Sequence, residues 1–323
     1  MTAAMSLIQR AEPYPHWEFT AASGDQLRLV PERGGLITAW RCGGVERLYF
    51  DADRFADPAL SVRGGIPILF PVCGNLPGNQ LVLPEGSTVM AQHGFARDRP
   101  WSLTPLADGQ GVRLELRDDA ASRAVYPFPF LLALEVRLEP QALAIRAVVE
   151  HRDDAQNRQG GPAAATAVMP FALGLHPYFA VADLAAAGLA GLPPRCFDHL
   201  TAADTDTAGQ LQRLSQGVDL RVDLERSGES GDAAASAGSA APSAAPPPPP
   251  LLRTGLPLQA GSAQPASLVL EAVSPFAHAV VWTDPPRPMV CLEPWTDRRG
   301  ALGLSLAPGQ RCELACRYAL VAG

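Results

Sequence analysis

Hydrophobic and polar residues alternate with a period of two along much of this chain. At 112–117, valine and leucine alternate with arginine and glutamate, and the pattern recurs at 134–139 and 143–150. Such alternation is typical of antiparallel strands with one buried face. Further strand candidates lie at 27–30, 35–41, 165–174, 268–273, 278–283, 288–293 and 310–320.

Helical periodicity is weak by comparison. The alanine-rich stretch 181–190 is compatible with one short helix at most, and the 29 glycines and 32 prolines make the intervals between strands rich in turns. Strands spread over the full length favour an all-β fold, a large antiparallel β-sandwich, over alternating β and α units. We interpret residues 1–323 as a single domain.

The segment 227–250 differs from the rest of the chain. It reads SGESGDAAASAGSAAPSAAPPPPP and has no aromatic or large aliphatic residue. Burial of such a segment cannot offset the entropy lost on ordering it. Because strand patterns resume at 268–273, we predict a disordered surface-loop insertion within the domain.

Net charge and composition exclude several classes of function. The net charge of −7 argues against nucleic-acid or anionic-membrane binding by bulk electrostatics. The sequence contains neither an N-terminal apolar core of a signal peptide nor a long apolar span, so we expect a cytoplasmic protein. All 26 basic residues are arginine, which excludes Schiff-base lysines and the phosphate-loop lysine. An anionic substrate would therefore need a local arginine pocket.

Common catalytic motifs are absent. There is no GxSxG, GxGxxG or HExxH sequence, and no two of the six histidines lie three to five residues apart, so we expect no metal site. Three polar residues nevertheless have unusual sequence neighbours: His93 in HGFAR, His176 at the end of the apolar run FALGLH, and Glu293 at the end of MVCLE. Each histidine alone is typical of a structural residue. A buried carboxylate, however, is costly unless it is hydrogen-bonded or functional.

Four longer motifs occur in series. They are RGGIPILFPVCGNLP (63–77), HGFARDRPW (93–101), LGLHPYF (173–179) and VVWTDPPRPMVCLEPWT (280–296). In order and spacing this set resembles the aldose 1-epimerase (galactose mutarotase-like) superfamily, and within it the hexose-6-phosphate mutarotases, or glucose-6-phosphate 1-epimerases. The resemblance implies a large antiparallel β-sandwich with a sugar cleft lined from one sheet.

The resemblance also implies a reaction, the interconversion of α and β anomers of an aldohexose. Glu293 would be the base at the O1 hydroxyl, His176 the acid at the ring oxygen O5, and His93 a hydrogen-bond donor on the ring-oxygen side. A carboxylate and an imidazole suit this task, because burial and mutual charge can tune both toward neutral pH. No metal or organic cofactor is implied.

Two arginines bear on the substrate. In the phosphate-specific relatives, the residues at the positions of Arg63 and Arg97 bind the 6-phosphate, and a planar guanidinium suits a phosphate dianion. The alternative is a structural ion pair with a neighbour such as Asp98. Asp219, in SQGVDLRV, matches a sugar-hydroxyl-binding aspartate of the family. The expected partner is thus a sugar or sugar phosphate, and we expect a monomer or weak dimer.

Other functions stay open from the sequence. A non-catalytic carbohydrate-binding protein would use the same sandwich and cleft, and is favoured if Glu293 is exposed or turned away from His176. A free-aldose 1-epimerase would not use the two arginines for phosphate. A glycoside lyase or hydrolase would ordinarily need a second acidic residue across the cleft from Glu293, and no obvious one accompanies the motifs.

Overall fold

The structure is a computed structural model that describes residues 5–84, 86–152, 168–224, 256–257, 266–273 and 275–322. The predicted disordered insertion at 227–250 lies outside these residues. The interpretation of 1–323 as a single domain stays a prediction.

Strands account for most of the regular structure, as the alternation predicts. The first twelve are β1 (Ser6–Arg10), β2 (His16–Thr20), β3 (Gln26–Val30), β4 (Leu36–Cys42), β5 (Val45–Glu46), β6 (Ile68–Leu69), β7 (Gln80–Leu83), β8 (Gly86–Val89), β9 (Ser102–Pro105), β10 (Gly111–Arg117), β11 (Phe130–Glu139) and β12 (Ala142–His151). The next twelve are β13 (Met169–Phe171), β14 (Gly174–Leu175), β15 (Tyr178–Ala180), β16 (Arg195–Asp198), β17 (Ala203–Asp206), β18 (Asp219–Asp223), β19 (Leu256–Pro257), β20 (Ala266–Val273), β21 (His278–Trp282), β22 (Met289–Trp295), β23 (Leu304–Leu306) and β24 (Arg311–Ala322).

Helices in the described part of the chain are short. The α-helices are α1 (Ala52–Ala56), α2 (Ala120–Arg123) and α3 (Thr207–Leu211), and 3-10 turns lie at Pro77–Asn79, Ala96–Asp98 and Leu214–Gln216. The stretch 181–190 contains turns and no helix, which agrees with the prediction of one short helix at most.

The predicted strand at 165–174 differs in detail. From residue 168 onward it is two short strands, β13 and β14, which pair with different partners. Between them the Ala172 N–H donates to the Pro71 carbonyl at 2.7 Å, and the Leu173 N–H donates to Thr296 Oγ1 at 2.9 Å. The break lets the chain pass from one sheet to another without leaving backbone groups unpaired.

Two large antiparallel sheets carry the fold. One has seven strands in the order β19-β20-β24-β12-β11-β10-β9, and the other has eight, in the order β17-β16-β18-β21-β22-β14-β6 with β15 paired to β22. Tyr318 on β24 joins them: its ring packs 5.0 Å from that of Phe179 on β15, and its hydroxyl donates to the Leu292 carbonyl on β22 at 3.4 Å. The predicted antiparallel β-sandwich is confirmed.

Strand β22 shows how the sandwich positions a site. All seven of its residues are buried. Because side chains alternate along a strand, Val290 and Leu292 point into the main core, whereas Cys291, Glu293 and Trp295 point to the other face of the sheet. The carboxyl group of Glu293 is therefore buried on the face of this strand that points away from the apolar core.

Aromatic rings fix the loop after β6. The fully buried Phe70 ring lies 5.2 Å from Phe130, 5.9 Å from Tyr126, 6.1 Å from Phe171 and 6.2 Å from Phe95, measured between centroids. Phe95 belongs to the HGF motif, so this cluster ties that motif to the core. In the described residues, no helix is long and apolar enough to cross a membrane.

The aromatic cluster generates a stability prediction. Replacing Phe70 with alanine removes a fully buried ring and should lower the free energy of unfolding by about 3–5 kcal/mol. The matched control is Val82→Ala, since that side chain is 76% exposed and its loss should cost less than about 0.5 kcal/mol. Urea unfolding followed by tryptophan fluorescence measures both, and equal losses in the two variants would contradict the packing argument.

Candidate functional site

The buried face of β22 opens into a cleft of about 160 Å³. All six sequence-predicted site residues line it: Arg63, His93, Arg97, His176, Asp219 and Glu293. Other lining residues include Gln92, Tyr178, Trp282, Trp295 and Arg299. Residues far apart in the sequence are thus brought to one place, with both polar and aromatic groups on the walls.

Glu293 and His176 are in contact at the centre of the cleft. His176 Nε2 lies 3.4 Å from Glu293 Oε1, and the two side chains are 12% and 1% exposed. The second carboxyl oxygen, Oε2, accepts a hydrogen bond from the indole N–H of Trp295 at 3.1 Å. These two contacts fix the plane of the carboxyl group.

His176 is held by the short strands on either side of it. Its backbone N–H donates to the Pro67 carbonyl at 3.0 Å. Its ring stacks on Tyr178, with centroids 4.7 Å apart and planes only 10° from parallel, and meets the edge of Trp282 at 5.7 Å. The imidazole is therefore clamped between aromatic side chains, with Nε2 directed at Glu293.

His93 has a defined tautomer. The Gly74 N–H donates to His93 Nδ1 at 3.0 Å, and the His93 N–H donates to the Gly74 carbonyl at 2.7 Å. Because Nδ1 is an acceptor, the proton of the neutral ring is on Nε2. The next residue, Gly94, has φ of 73°, and a Cβ there would lie 2.1 Å from the Phe70 carbonyl oxygen. Only glycine fits this turn, which explains the HG pair of the motif.

Burial sets the protonation of the central groups. It raises the pKa of Glu293 well above 4.5, and the negative charge of Asp219 raises it further. Burial lowers the pKa of His176 to about 3, aided by the positive charges of Arg97 and Arg63. Burial also lowers the pKa of His93 well below 6.5, with the charge of His176 as the next cause. Burial therefore favours the uncharged form of both groups, with the proton of the pair on Glu293 rather than on His176.

The two predicted phosphate ligands are only loosely paired with acids. Arg97 Nε lies 3.8 Å from Asp98, whose side chain is 71% exposed, and its Nη2 donates to the Gln92 carbonyl at 3.0 Å. Arg63 Nε lies 3.5 Å from Asp284, and its guanidinium lies 5.6 Å from the Trp282 ring. Arg97 thus forms the ion pair with Asp98 that the sequence left as an alternative, but at a long distance, and both guanidinium groups also line the cleft.

Asp219 and Arg299 form a second charged group in the cleft. Arg299 Nη2 donates to Asp219 Oδ2 at 2.9 Å. Sequence reasoning missed Arg299, which follows the EPWT motif without a distinguishing pattern of its own. It also missed Tyr178, although this residue lies inside LGLHPYF, because a stacked aromatic partner cannot be told from a core tyrosine by sequence.

Metal-binding side chains also meet here. Among the described residues, ligand atoms of His176, Cys291 and Glu293 lie within 4.8 Å of one another. Burial raises the pKa of the Cys291 thiol well above 9, and the charge of Glu293 raises it further. A metal ion would therefore have to displace the protons of both Cys291 and Glu293.

The geometry of the cleft agrees with the protein family that the sequence matches. Residues 27–201 match the family described as aldose 1-epimerase. The chain belongs to the aldose 1-epimerase family. The matched segment contains Arg63, His93, Arg97 and His176, whereas Glu293 lies beyond it.

Curated relatives of this family member carry a more specific name. A protein of Cenchrus ciliaris called "Putative glucose-6-phosphate 1-epimerase" is 29% identical over 185 residues, 54% of this chain and 50% of that protein. A Salmonella typhimurium protein of the same name is 30% identical over 175 residues, 53% and 51% of the two chains. The matches thus span about half the length of these relatives.

Solved structures match nearly the whole of this chain. A protein from Synechocystis sp. PCC 6803 superimposes with a TM-score of 0.75 at 28% identity, covering 99% of this chain and 96% of that one. A galactose mutarotase-like protein from Clostridium acetobutylicum gives a TM-score of 0.70 at 14% identity, covering 99% of both chains. The second likeness concerns the fold alone.

The shared proton generates a prediction about pH and stability. In the unfolded chain the two groups titrate near their ordinary pKa values, 4.5 for Glu293 and 6.5 for His176. Between these values the folded and unfolded states each hold one proton, so the pair makes the free energy of unfolding neither rise nor fall with pH. Above 6.5 the unfolded chain has released both protons, whereas the raised pKa of Glu293 delays the release of its proton in the folded state, and below 4.5 the unfolded state holds more protons. The contribution of the pair should thus be greatest from pH 4.5 to 6.5.

Single replacements separate the two halves of this curve. In Glu293→Gln only His176 remains, so the loss of stability above pH 6.5 should disappear while the loss on acidification stays. In His176→Asn only Glu293 remains, so stability should begin to fall as soon as pH exceeds 4.5. Urea unfolding at pH 5, 6.5 and 8 measures these slopes. The neutral pair is refuted by a Glu293→Gln variant that loses as much stability from pH 6.5 to 8 as the wild type.

Proposed function

We propose that this protein interconverts the α and β anomers of an aldohexose 6-phosphate by acid–base opening and closing of the sugar ring. The observation that carries the proposal is the 3.4 Å contact between Glu293 and His176 in a cleft that Arg63 and Arg97 also line. Membership of the aldose 1-epimerase family supports the reaction. The names of the curated relatives support the phosphorylated substrate.

The reaction needs one base and one acid. Glu293, as carboxylate, takes the proton of the O1 hydroxyl while His176, as imidazolium, gives a proton to O5, so that the C1–O5 bond breaks and an open-chain aldehyde forms. Rotation about C1–C2 presents the other face of the aldehyde. The same transfers in reverse close the ring. His93, with its proton on Nε2, donates a hydrogen bond on the ring-oxygen side.

The proton count of the site suits this scheme. Ring opening converts a carboxylate and an imidazolium into a carboxylic acid and a neutral imidazole. Burial favours this second distribution, because neither group then carries a charge. The site is thus matched in charge to the open-chain intermediate, and the starting distribution differs from it only by one proton moved between Glu293 and His176.

Arginines near His176 suit a 6-phosphate. C6 is attached to C5, the ring carbon next to O5, so a phosphate on C6 lies on the ring-oxygen side of the sugar. The positive charges of Arg63 and Arg97 act on His176, the proposed partner of O5. Guanidinium groups that are not held by close carboxylates are free to form charge-assisted hydrogen bonds with a phosphate dianion.

The burial of Glu293 favours catalysis over simple carbohydrate binding. A non-catalytic protein has no need to place a carboxyl group that is 1% exposed against an imidazole. For a glycoside hydrolase, Asp219 is a second acid in the same cleft, but its Oδ2 is engaged by Arg299. A cytoplasmic location and a monomeric or weakly dimeric state stay predictions.

The catalytic roles predict the effect of removing each group. Glu293→Gln and His176→Asn should each lower anomer exchange of glucose 6-phosphate by about 10²–10⁴-fold, the usual contribution of a positioned acid or base. His93→Asn should lower it less, because it removes one hydrogen bond and no proton transfer. Proton NMR exchange spectroscopy of the anomeric protons measures all three. Exchange near the wild-type rate in Glu293→Gln would remove Glu293 as the base.

The phosphate site predicts a preference between substrates. Glucose 6-phosphate should have a higher kcat/KM than glucose. Arg63→Ala and Arg97→Ala should raise KM for the phosphosugar and leave the slower exchange of glucose almost unchanged, because the lost contact is remote from C1. Arg298→Ala, an exposed neighbour of the cleft, is the matched control. If Arg63→Ala slows both sugars equally, the arginines are structural and the protein is a free-aldose epimerase.

A further inference from the structure

Arg299 is a third guanidinium in the cleft, and the proposed proton transfers and phosphate site give it no role. It lies in the segment after β22, and its side chain is 32% exposed. Its Nη2 donates to Asp219 Oδ2 at 2.9 Å, and Asp219 is only 13% exposed. This ion pair is closer than those of Arg63 and Arg97, and its carboxylate is less exposed than theirs, so it fixes the orientation of both side chains more firmly.

The order of strands places Asp219 and His176 on opposite sides of Glu293. Asp219 is on β18, which pairs with β21, which in turn pairs with β22. His176 lies between β14 and β15, which both pair with β22 on its other side. Across the sheet the order of the three polar groups is therefore Asp219, Glu293, His176.

The covalent structure of a pyranose matches this order. In the ring, the anomeric carbon C1 lies between O5 and C2. If His176 meets O5 and Glu293 meets O1, a group beyond Glu293 faces the substituent on C2. We infer that Arg299 is a positioning residue that holds Asp219 against the C2 hydroxyl of the sugar. This inference rests on the proposed function, because that function supplies the orientation of the substrate.

Unpaired polar atoms at this place suit a hydroxyl. Asp219 Oδ1 and Arg299 Nε are both buried and have no hydrogen-bond partner in the part of the chain that the structure describes. One of them is an acceptor and the other a donor. A sugar hydroxyl can donate to a carboxylate and accept from a guanidinium at the same time, so it complements the pair chemically.

The position of Arg299 is fixed from both ends. At one end, its aliphatic stem packs on Gly74, where an added Cβ would lie 2.5 Å from Arg299 Cγ. At the other end, Asp219 is anchored on β18, where its carbonyl accepts the His199 N–H at 2.8 Å. The same Gly74 sets the tautomer of His93. Arg299 thus links the wall that carries His93 to the strand that carries Asp219.

The pair also acts on Glu293 by charge. The negative charge of Asp219 raises the pKa of Glu293, and the positive charge of Arg299 lowers it. Other titratable groups near Glu293 are His176, Cys73, Tyr178, Cys291 and Tyr318. Replacing Arg299 or Asp219 leaves these groups in place, so the two changes should shift the pH dependence of activity in opposite directions.

The first test compares glucose 6-phosphate with 2-deoxyglucose 6-phosphate. The wild type should prefer the former in kcat/KM by about 10–100-fold, the effect of a lost hydrogen bond to a charged group. In Arg299→Gln this preference should fall to near unity, because only the substrate with the C2 hydroxyl loses a contact. Arg298→Gln, the exposed neighbour, should keep the wild-type preference.

The second test is the pH profile of kcat/KM for glucose 6-phosphate. Removal of a positive charge in Arg299→Gln should move both limbs of the profile to higher pH, and removal of a negative charge in Asp219→Asn should move both to lower pH. Arg299→Lys keeps the positive charge, so the limbs of its pH profile should match those of the wild type. The shorter lysine side chain should still weaken the preference for the C2 hydroxyl.

The outcomes separate the inference from the proposed function. A wild type that does not accelerate anomer exchange of glucose 6-phosphate overturns the proposed function. If the wild type is active, the inference is overturned by one combined result for Arg299→Gln. The variant slows both substrates equally, and the limbs of its pH profile coincide with those of Arg298→Gln. If Arg299→Gln does not fold by circular dichroism, the isosteric Asp219→Asn decides, since it should show the same loss of preference for the C2 hydroxyl.

Discussion

The alternation of side chains along β22 is the constraint on which the site depends. One face of this strand, with Val290 and Leu292, seals the core between the two large sheets. The other face, with Glu293 and Trp295, forms the floor of the cleft. Because the period is fixed by the backbone, a shift by one residue would place a carboxyl group in the core and apolar side chains in the cleft. Fold and site are thus specified by one register.

Burial on that face then determines the chemistry. A carboxyl group and an imidazole removed from water both favour their uncharged forms, and moving one proton between them leaves the net charge of the pair unchanged. Around this neutral centre the cleft holds cations on the His176 side and the Asp219–Arg299 ion pair beyond Glu293. Under the proposed function, this arrangement would give the two ends of a bound sugar different partners.

Much of the fold could be predicted from the sequence, but its details of pairing could not. The alternation at 112–117, 134–139 and 143–150 predicted β10, β11 and β12, because the positions of polar and apolar side chains on a strand are a local property. The run 165–174 was wrong as one strand, since its division depends on carbonyl and hydroxyl partners from Pro71 and Thr296. Such partners come from distant parts of the chain.

The sequence by itself determined the β-class of the fold and, through motifs in series, the identity of the six candidate site residues. Only the tertiary structure decided that Glu293 meets His176, that Gly74 sets the tautomer of His93, and that Arg299 joins Asp219. The physical reason is range. Periodicity and motif spacing are written along the chain, whereas distances, burial and the pKa values that burial sets arise when sheets bring remote residues into one environment of low dielectric constant.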